Sequence, residues 1–154
     1  MLVSDIMTRS VRTVSPQTPM CDVVSTMCLY RISGLPVVDE GKLIGFIAEK
    51  DVLHHLFPSL EDSMNSMASV DFDALEQRYA DVVGLRVEQL MHRGVIGVSP
   101  DMPILKATSV MVRHQFRRIP VVADDTLVGM LSLGDVHKAL FKKSISEISN
   151  CAVS

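Results

Sequence analysis

Leu35-Pro36-Val37-Val38-Asp39-Glu40-Gly41-Lys42-Leu43-Ile44-Gly45-Phe46-Ile47-Ala48-Glu49-Lys50-Asp51-Val52 is the stretch that decides the fold. Leu35 to Val38 reads as a strand and Asp39-Glu40-Gly41-Lys42 as a tight turn. Leu43 to Ala48 is the return strand, so the two are antiparallel neighbours. A helix starts near Glu49 and runs through Val52, Leu53 and Leu56 until Pro58. The same grammar returns at Ile119-Pro120-Val121-Val122, Gly129-Met130-Leu131 and Asp135-Val136, offset by 84 positions (120 − 36 = 84) with no gap. Asp124-Asp125 lies in the second turn.

Upstream of each hairpin the correspondence continues. Thr13-Val14-Ser15-Pro16 matches Gly97-Val98-Ser99-Pro100, and Asp5-Ile6-Met7 matches Gln89-Leu90-Met91. Val11 to Val14 reads as a short strand. Thr18-Pro19 reads as a cap followed by proline at the first helical position. Met20, Val23, Val24 and Met27 then form one apolar helical face, stopped at Ser33-Gly34. In the second copy Pro103 opens a helix with Ile104, Ala107 and Met111 on one face. Each copy is therefore β-α-β-β-α. Neither small sheet covers both faces alone, so the chain is expected to be α/β (α+β), with tandem repeats packed sheet to sheet about a pseudo-twofold axis. The boundaries are 1–57 for the first repeat, 58–86 for a helical insert, 87–143 for the second repeat and 144–154 for a tail. Within the insert, Ser59 to Ser69 reads as a mobile loop or weak helix. Asp71 to Val83 reads as a helix striped by Leu75, Tyr79 and Val82. The tail from Ser146 reads as loose.

Composition narrows the function. Of 154 residues, 47% are hydrophobic, which argues against disorder, and the net charge of −3 argues against a broad polyanion-binding face. DNA and RNA are therefore not expected partners. No stretch has the length or hydropathy of a membrane span or a secretory signal, so a cytoplasmic location is expected. Cys21, Cys28 and Cys151 form no C-x-x-C pair, and no disulfide framework or zinc knuckle is suggested. His54, His55, His92, His114 and His137 fall in no metal-ligating spacing. No nucleophile elbow, Walker loop or G-x-G-x-x-G is present, so no catalytic residue, metal or catalytic cofactor is expected.

The sharpest polar constellation is Ser132-Leu133-Gly134-Asp135, which follows a strand and opens a helix. A hydroxyl and a carboxylate three apart beside free helix N–H groups can read a ribose and a phosphate. The same spacing also describes a plain helix cap. Arg117 and Arg118 precede the strand at Ile119, near Ser132 across the hairpin, where two guanidiniums could hold a phosphate. They could equally be solvated surface arginines. The first copy has Ser33-Gly34 and Ala48-Glu49-Lys50-Asp51 in these places. It keeps the carboxylate and lacks the hydroxyl and both arginines. The methionines Met20, Met27, Met67, Met102 and Met111 read as core filler or interface.

These motifs resemble a pair of CBS domains, named after cystathionine β-synthase. The resemblance covers Val3 to Phe57 and Val87 to Phe141 and rests on D-I-M or Q-L-M, V-S-P, h-P-V-V, G-h-h and the closing D-V. It implies a regulatory module and not an enzyme, with an adenine nucleotide such as AMP, ADP or ATP held in a cleft between repeats. Carried over by motif, the binding residues are Ser132 and Asp135 of Ser-x-x-Asp and Arg117 and Arg118 before the strand. Pro120 of h-P-V-V, Ser4 and the backbone of Arg9 to Val11 complete the set. The matching cleft would use Val87, Glu88 and Asp51, but Ala48 departs from its pattern. The resemblance also implies a homodimer, for which the helix faces bearing Met20, Met27 and Met111 are the candidate surfaces, and leaves room for a regulated protein partner. A ligand-free dimerisation or interaction module is the alternative.

Overall fold

The computed structural model describes residues 1–57 and 71–152, so the reading of Ser59 to Ser69, and with it Met67, falls outside the described residues. The chain forms two compact units, and their membership does not follow the repeat boundaries. One unit joins residues 1–11 to 96–154, and the other comprises residues 12–95. In each case the hairpin and helices of one repeat are completed by the leading segment of the other.

The 12–95 unit contains α2 (Met20–Tyr30), β1 (Gly34–Asp39), β2 (Lys42–Ala48), α3 (Glu49–His54) and α4 (Phe72–Val83). β1 and β2 pair antiparallel, with Leu35 opposite Ile47 and Pro36 opposite Phe46. Their turn runs through left-handed backbone at Glu40 (φ 51°) and Gly41 (φ 80°), the twist that closes a two-residue hairpin. Alternation sends Leu35, Val37 and Ile47 into a core with Met20, Val23 and Met27 of α2. The insert helix α4 begins at Asp71, whose carboxylate accepts from Ala74 N at 3.2 Å. Val82 is buried in the same core and Tyr79 packs on its edge.

The other unit holds α1 (Val3–Ile6), α5 (Ile104–Arg113), β3 (Arg118–Ala123), β4 (Thr126–Ser132) and α6 (Leu133–Ala152). β3 and β4 repeat the register, with Ile119 opposite Leu131 and Pro120 opposite Met130. Here Asp124 (φ 51°) and Asp125 (φ 64°) take the left-handed turn positions that aspartate tolerates. Val3, Ile104, Ala107, Met111, Ile119, Val121 and Leu131 form its core.

The sequence repeat is reproduced bond for bond. Val3 N donates to Met102 O and Val87 N to Thr18 O, while Ser4 N donates to Pro100 O and Glu88 N to Pro16 O. Thr8 exchanges two backbone bonds with Met130 at 2.9 Å each, and His92 does the same with Phe46 at 2.9 and 3.0 Å. Glycine is needed beneath each crossing. A Cβ on Gly45 would stand 2.6 Å from His92 O, and one on Gly129 2.8 Å from Thr8 O.

Five expectations change. The strand at Val11 to Val14 reduces to a single bridge, Val14 beside Val37, because Pro36 has no N–H to donate to the residues before Val14 and Pro16 has none to carry the ladder beyond it. The first long helix is capped at Pro19, with Thr18 Oγ1 instead accepting from Ser15 N at 3.0 Å. It ends on Arg31 in left-handed backbone (φ 53°), ahead of Ser33-Gly34. The tail is not loose over its described part: α6 runs on to Ala152. Met20, Met27 and Met111 are buried in the cores of their own units, so they cannot supply a dimer surface.

Gly45→Val and Gly129→Val should each destabilise the protein by about 1–3 kcal/mol, since a backbone carbonyl, which cannot swing aside as the neighbouring methionine can, occupies the space. Urea unfolding measures this. Unchanged midpoints would mean that the leading segments do not seat over these glycines.

Candidate functional site

β4 ends where α6 begins, and this junction assembles most of the residues singled out from the sequence. Ser132 N donates to Asp135 Oδ2 and Asp135 N donates to Ser132 Oγ, both at 3.0 Å. This reciprocal pair is a capping box, so the plain capping role is real. It does not exhaust either group. Asp135 keeps a second carboxylate oxygen, and the Ser132 hydroxyl, used as an acceptor, still has its proton to donate.

The hairpin brings the arginines to the same place. Arg118 is the register partner of Ser132, and Leu133 N donates to Arg117 O at 3.0 Å. Directly opposed residues of an antiparallel pair share a face, so Arg118 and Ser132 stand on one side with Pro120 and Met130, away from the core of Ile119, Val121 and Leu131. Both arginines are exposed, while Ser132 and Asp135 are half-buried. Pro120 is buried, and its carbonyl accepts from Val98 N at 3.0 Å. It can therefore offer apolar surface only. Ser4 sits in α1, its carbonyl accepting from Arg9 Nη2 at 3.0 Å. From this turn it is Asp5 and Ile6 that face Asp135, across a groove of about 540 Å³ whose other wall is α6.

The matching junction in the 12–95 unit is built differently. Asp51 Oδ2 accepts from Ala48 N at 2.8 Å, but Ala48 has no side-chain oxygen to return the bond, so only half the capping box exists. The remaining oxygen, Oδ1, is taken by His92 Nε2 at 2.8 Å. The Asp51 side chain is 7% exposed beneath a half-exposed imidazole. Beside it lies a cavity of about 510 Å³, walled by Arg78 and Asp81 of the insert helix and by His54 and His55. Sequence reading missed His92 because it looked for metal-type histidine spacing. The signal was present in the repeat: the offset sets His92 against Thr8, which has no base to offer (92 − 84 = 8). Among the described residues, no three His, Cys, Asp or Glu side chains gather as a metal site. No helix among them is long and apolar enough to cross a membrane.

With this geometry in place, the comparisons are direct. Residues 3–58 and 87–142 match the CBS domain. The chain is 31% identical over 155 residues to the uncharacterized protein MJ1426 of Methanocaldococcus jannaschii, covering 91% of each chain. It is 28% identical to the CBS domain-containing protein YhcV of Bacillus subtilis, covering 87% of this chain and 81% of that one. The crystal structure of CBSX2 in complex with AMP superposes with a TM-score of 0.71 at 26% identity, covering 93% of this chain and 98% of that one; CBSX2 is from Arabidopsis thaliana. The chain belongs to the CBS domain family. It carries two such domains as a pair, and such domains are typically regulatory modules without catalytic activity of their own.

Burial raises the Asp51 carboxyl above its ordinary value of 3.8, against the opposing pull of the Ala48 amide and the charges of His92, Lys50 and His54. Protonation of Asp51 therefore favours the folded chain. Its contribution is fully present below 3.8 and is lost as pH climbs through the raised native value. Urea unfolding from about pH 4 to 7 should show wild-type stability falling relative to Asp51→Asn as pH rises. A carbon-detected titration placing the Asp51 midpoint at or below 3.8 would contradict the assignment.

Proposed function

We propose that the protein senses an adenine nucleotide at the Ser132–Asp135 junction. The carrying observation is that Asp135 and Ser132, after capping α6, retain one acceptor and one donor beside the arginines at the start of β3. The spare carboxylate oxygen suits ribose hydroxyls. The Ser132 hydroxyl, with Arg117 and Arg118, suits phosphate. Support also comes from CBSX2, crystallised with AMP, at 26% identity over nearly the whole chain. Ser4 and the residues around it would close the base side.

The two junctions are unequal in this reading. At Asp51 the second oxygen is already bonded to His92 and no hydroxyl stands at Ala48. A ligand there must displace an internal partner first. Asp135→Asn should lower AMP, ADP or ATP affinity by tenfold or more, the loss of one charge-assisted bond of about 1.5–3 kcal/mol. Asp51→Asn should change it less than threefold. Calorimetry on both variants decides. Equal losses would place the site wrongly, and no binding by wild type to any adenine compound would favour a ligand-free interaction module.

A sensor must pass its state to something. Binding shifts an equilibrium only if the ligand prefers one of two states. A homodimer is the simplest such element. Leu105 and Val112 on α5, and Phe141, Ile145 and Ile148 on α6, are large apolar side chains left exposed. The α6 set recurs at i, i+4 and i+7, one stripe of a helix. Light scattering should give twice the 17.0 kDa chain mass, and Ile145→Glu with Ile148→Glu should return the monomer. A monomeric wild type at micromolar concentration would refute the dimer.

A further inference from the structure

The groove beside Asp135 continues along α6 well beyond the residues used so far. Asp135, Lys138, Ala139, Lys142 and Ser146 fall on one helical face, and with Lys143 they line it. Lys138, Lys142 and Lys143 are all exposed, and among the described residues none of them pairs with a carboxylate. The two carboxylates of the groove are held at its other end. Asp5 Oδ2 accepts from Leu2 N at 2.8 Å, and Asp135 Oδ2 from Ser132 N at 3.0 Å. The groove is thus polarised: carboxylates that can meet sugar hydroxyls at the start of α6, then ammonium groups alone toward its C-terminal part. Lys138 and Lys142 stand one turn apart, a like-charge arrangement that weakens a helix unless an anion lies between them. From Asp135 to Lys142 is about 10 Å of helix, the length of a phosphate chain and more than one phosphate needs.

We propose that the α6 lysines form a tail site that selects nucleoside diphosphates and triphosphates over monophosphates. This rests on the nucleotide reading of Asp135 and goes beyond it by naming the ligand class. Ribose at Asp135 directs the 5′ substituent along the helix. The α-phosphate stays at the start of α6, and only the further phosphates reach Lys138 and Lys142. The recognition is by charge on flexible stems. It should therefore weaken steeply with salt, unlike the capping-box contacts.

The test is calorimetry with AMP, ADP and ATP on wild type, Lys142→Ala, Lys138→Ala/Lys142→Ala and Asp135→Asn. All the lysines are exposed, and Lys142→Gln serves as a second variant with the stem retained. The expected result is ATP bound at least tenfold more tightly than AMP. In the double variant that ratio should collapse to within about threefold through loss of ATP affinity, with AMP affinity unchanged. Equal AMP and ATP affinities in wild type, with AMP binding lost in Asp135→Asn, would overturn the tail site and leave the nucleotide site standing. Parallel losses of AMP and ATP in the lysine variants would also overturn it. No adenine nucleotide binding at all would sink both readings. Lysine-dependent sedimentation with phosphatidylserine vesicles, without an ATP preference, would reassign the row to a lipid surface.

Discussion

The structure depends on a crossed exchange of short backbone segments. Thr8 lies across Met130 and His92 across Phe46, each by two main-chain bonds over a glycine. These bonds satisfy Met130 on the side of β4 turned away from β3, and Phe46 on the side of β2 turned away from β1. They bury Val3 and Met7 in one core and Val87 and Leu90 in the other. Because each leading segment completes the core of the other repeat, neither repeat is a finished unit. The candidate site inherits this logic, since Asp5 and Ile6 face Asp135 only through that seating.

Much of the fold was legible because it rests on local chemistry repeated at a fixed offset. The hairpins, their turn residues and the apolar face of α2 follow from alternation and 3.6-residue spacing alone. So does Asp71 as the start of the insert helix. What failed were judgements about partners. Met20, Met27 and Met111 looked surplus to thin sheets, yet the cores of the two units absorb them entirely. The tail from Ser146 looked loose because chain ends commonly are, while Phe141, Ile145 and Ile148 carry a helical stripe into it. Position in the chain outweighed periodicity there.

The site shows the same division. Ser132 and Asp135 were legible as a pair because capping and ligand reading demand the same three-residue spacing, and the hairpin register sets Arg118 opposite Ser132. The difference between junctions was only half visible. Ala48 declared a missing hydroxyl, but the closure of Asp51 by His92 required knowing that residue 92 crosses residue 46. The lysine row on α6 has ordinary helical spacing, and only the groove beside it gives that spacing a meaning.

The exchange also orders assembly in time. The 12–95 unit closes on itself once its own residues exist, with His92 reaching back 46 positions to Phe46 (92 − 46 = 46). The other unit joins Thr8 to Met130 across 122 positions (130 − 8 = 122), a longer loop by about 0.9 kcal/mol of closure entropy. During synthesis, residues 1–11 must wait, apolar side chains and all, until the second hairpin has left the ribosome. At about 5–20 residues per second that wait lasts roughly 6 to 24 seconds. The half that carries the candidate nucleotide site is therefore the last to form. A chain interrupted before its second hairpin retains a complete set of residues for the Asp51 unit and none of the Ser132–Asp135 junction.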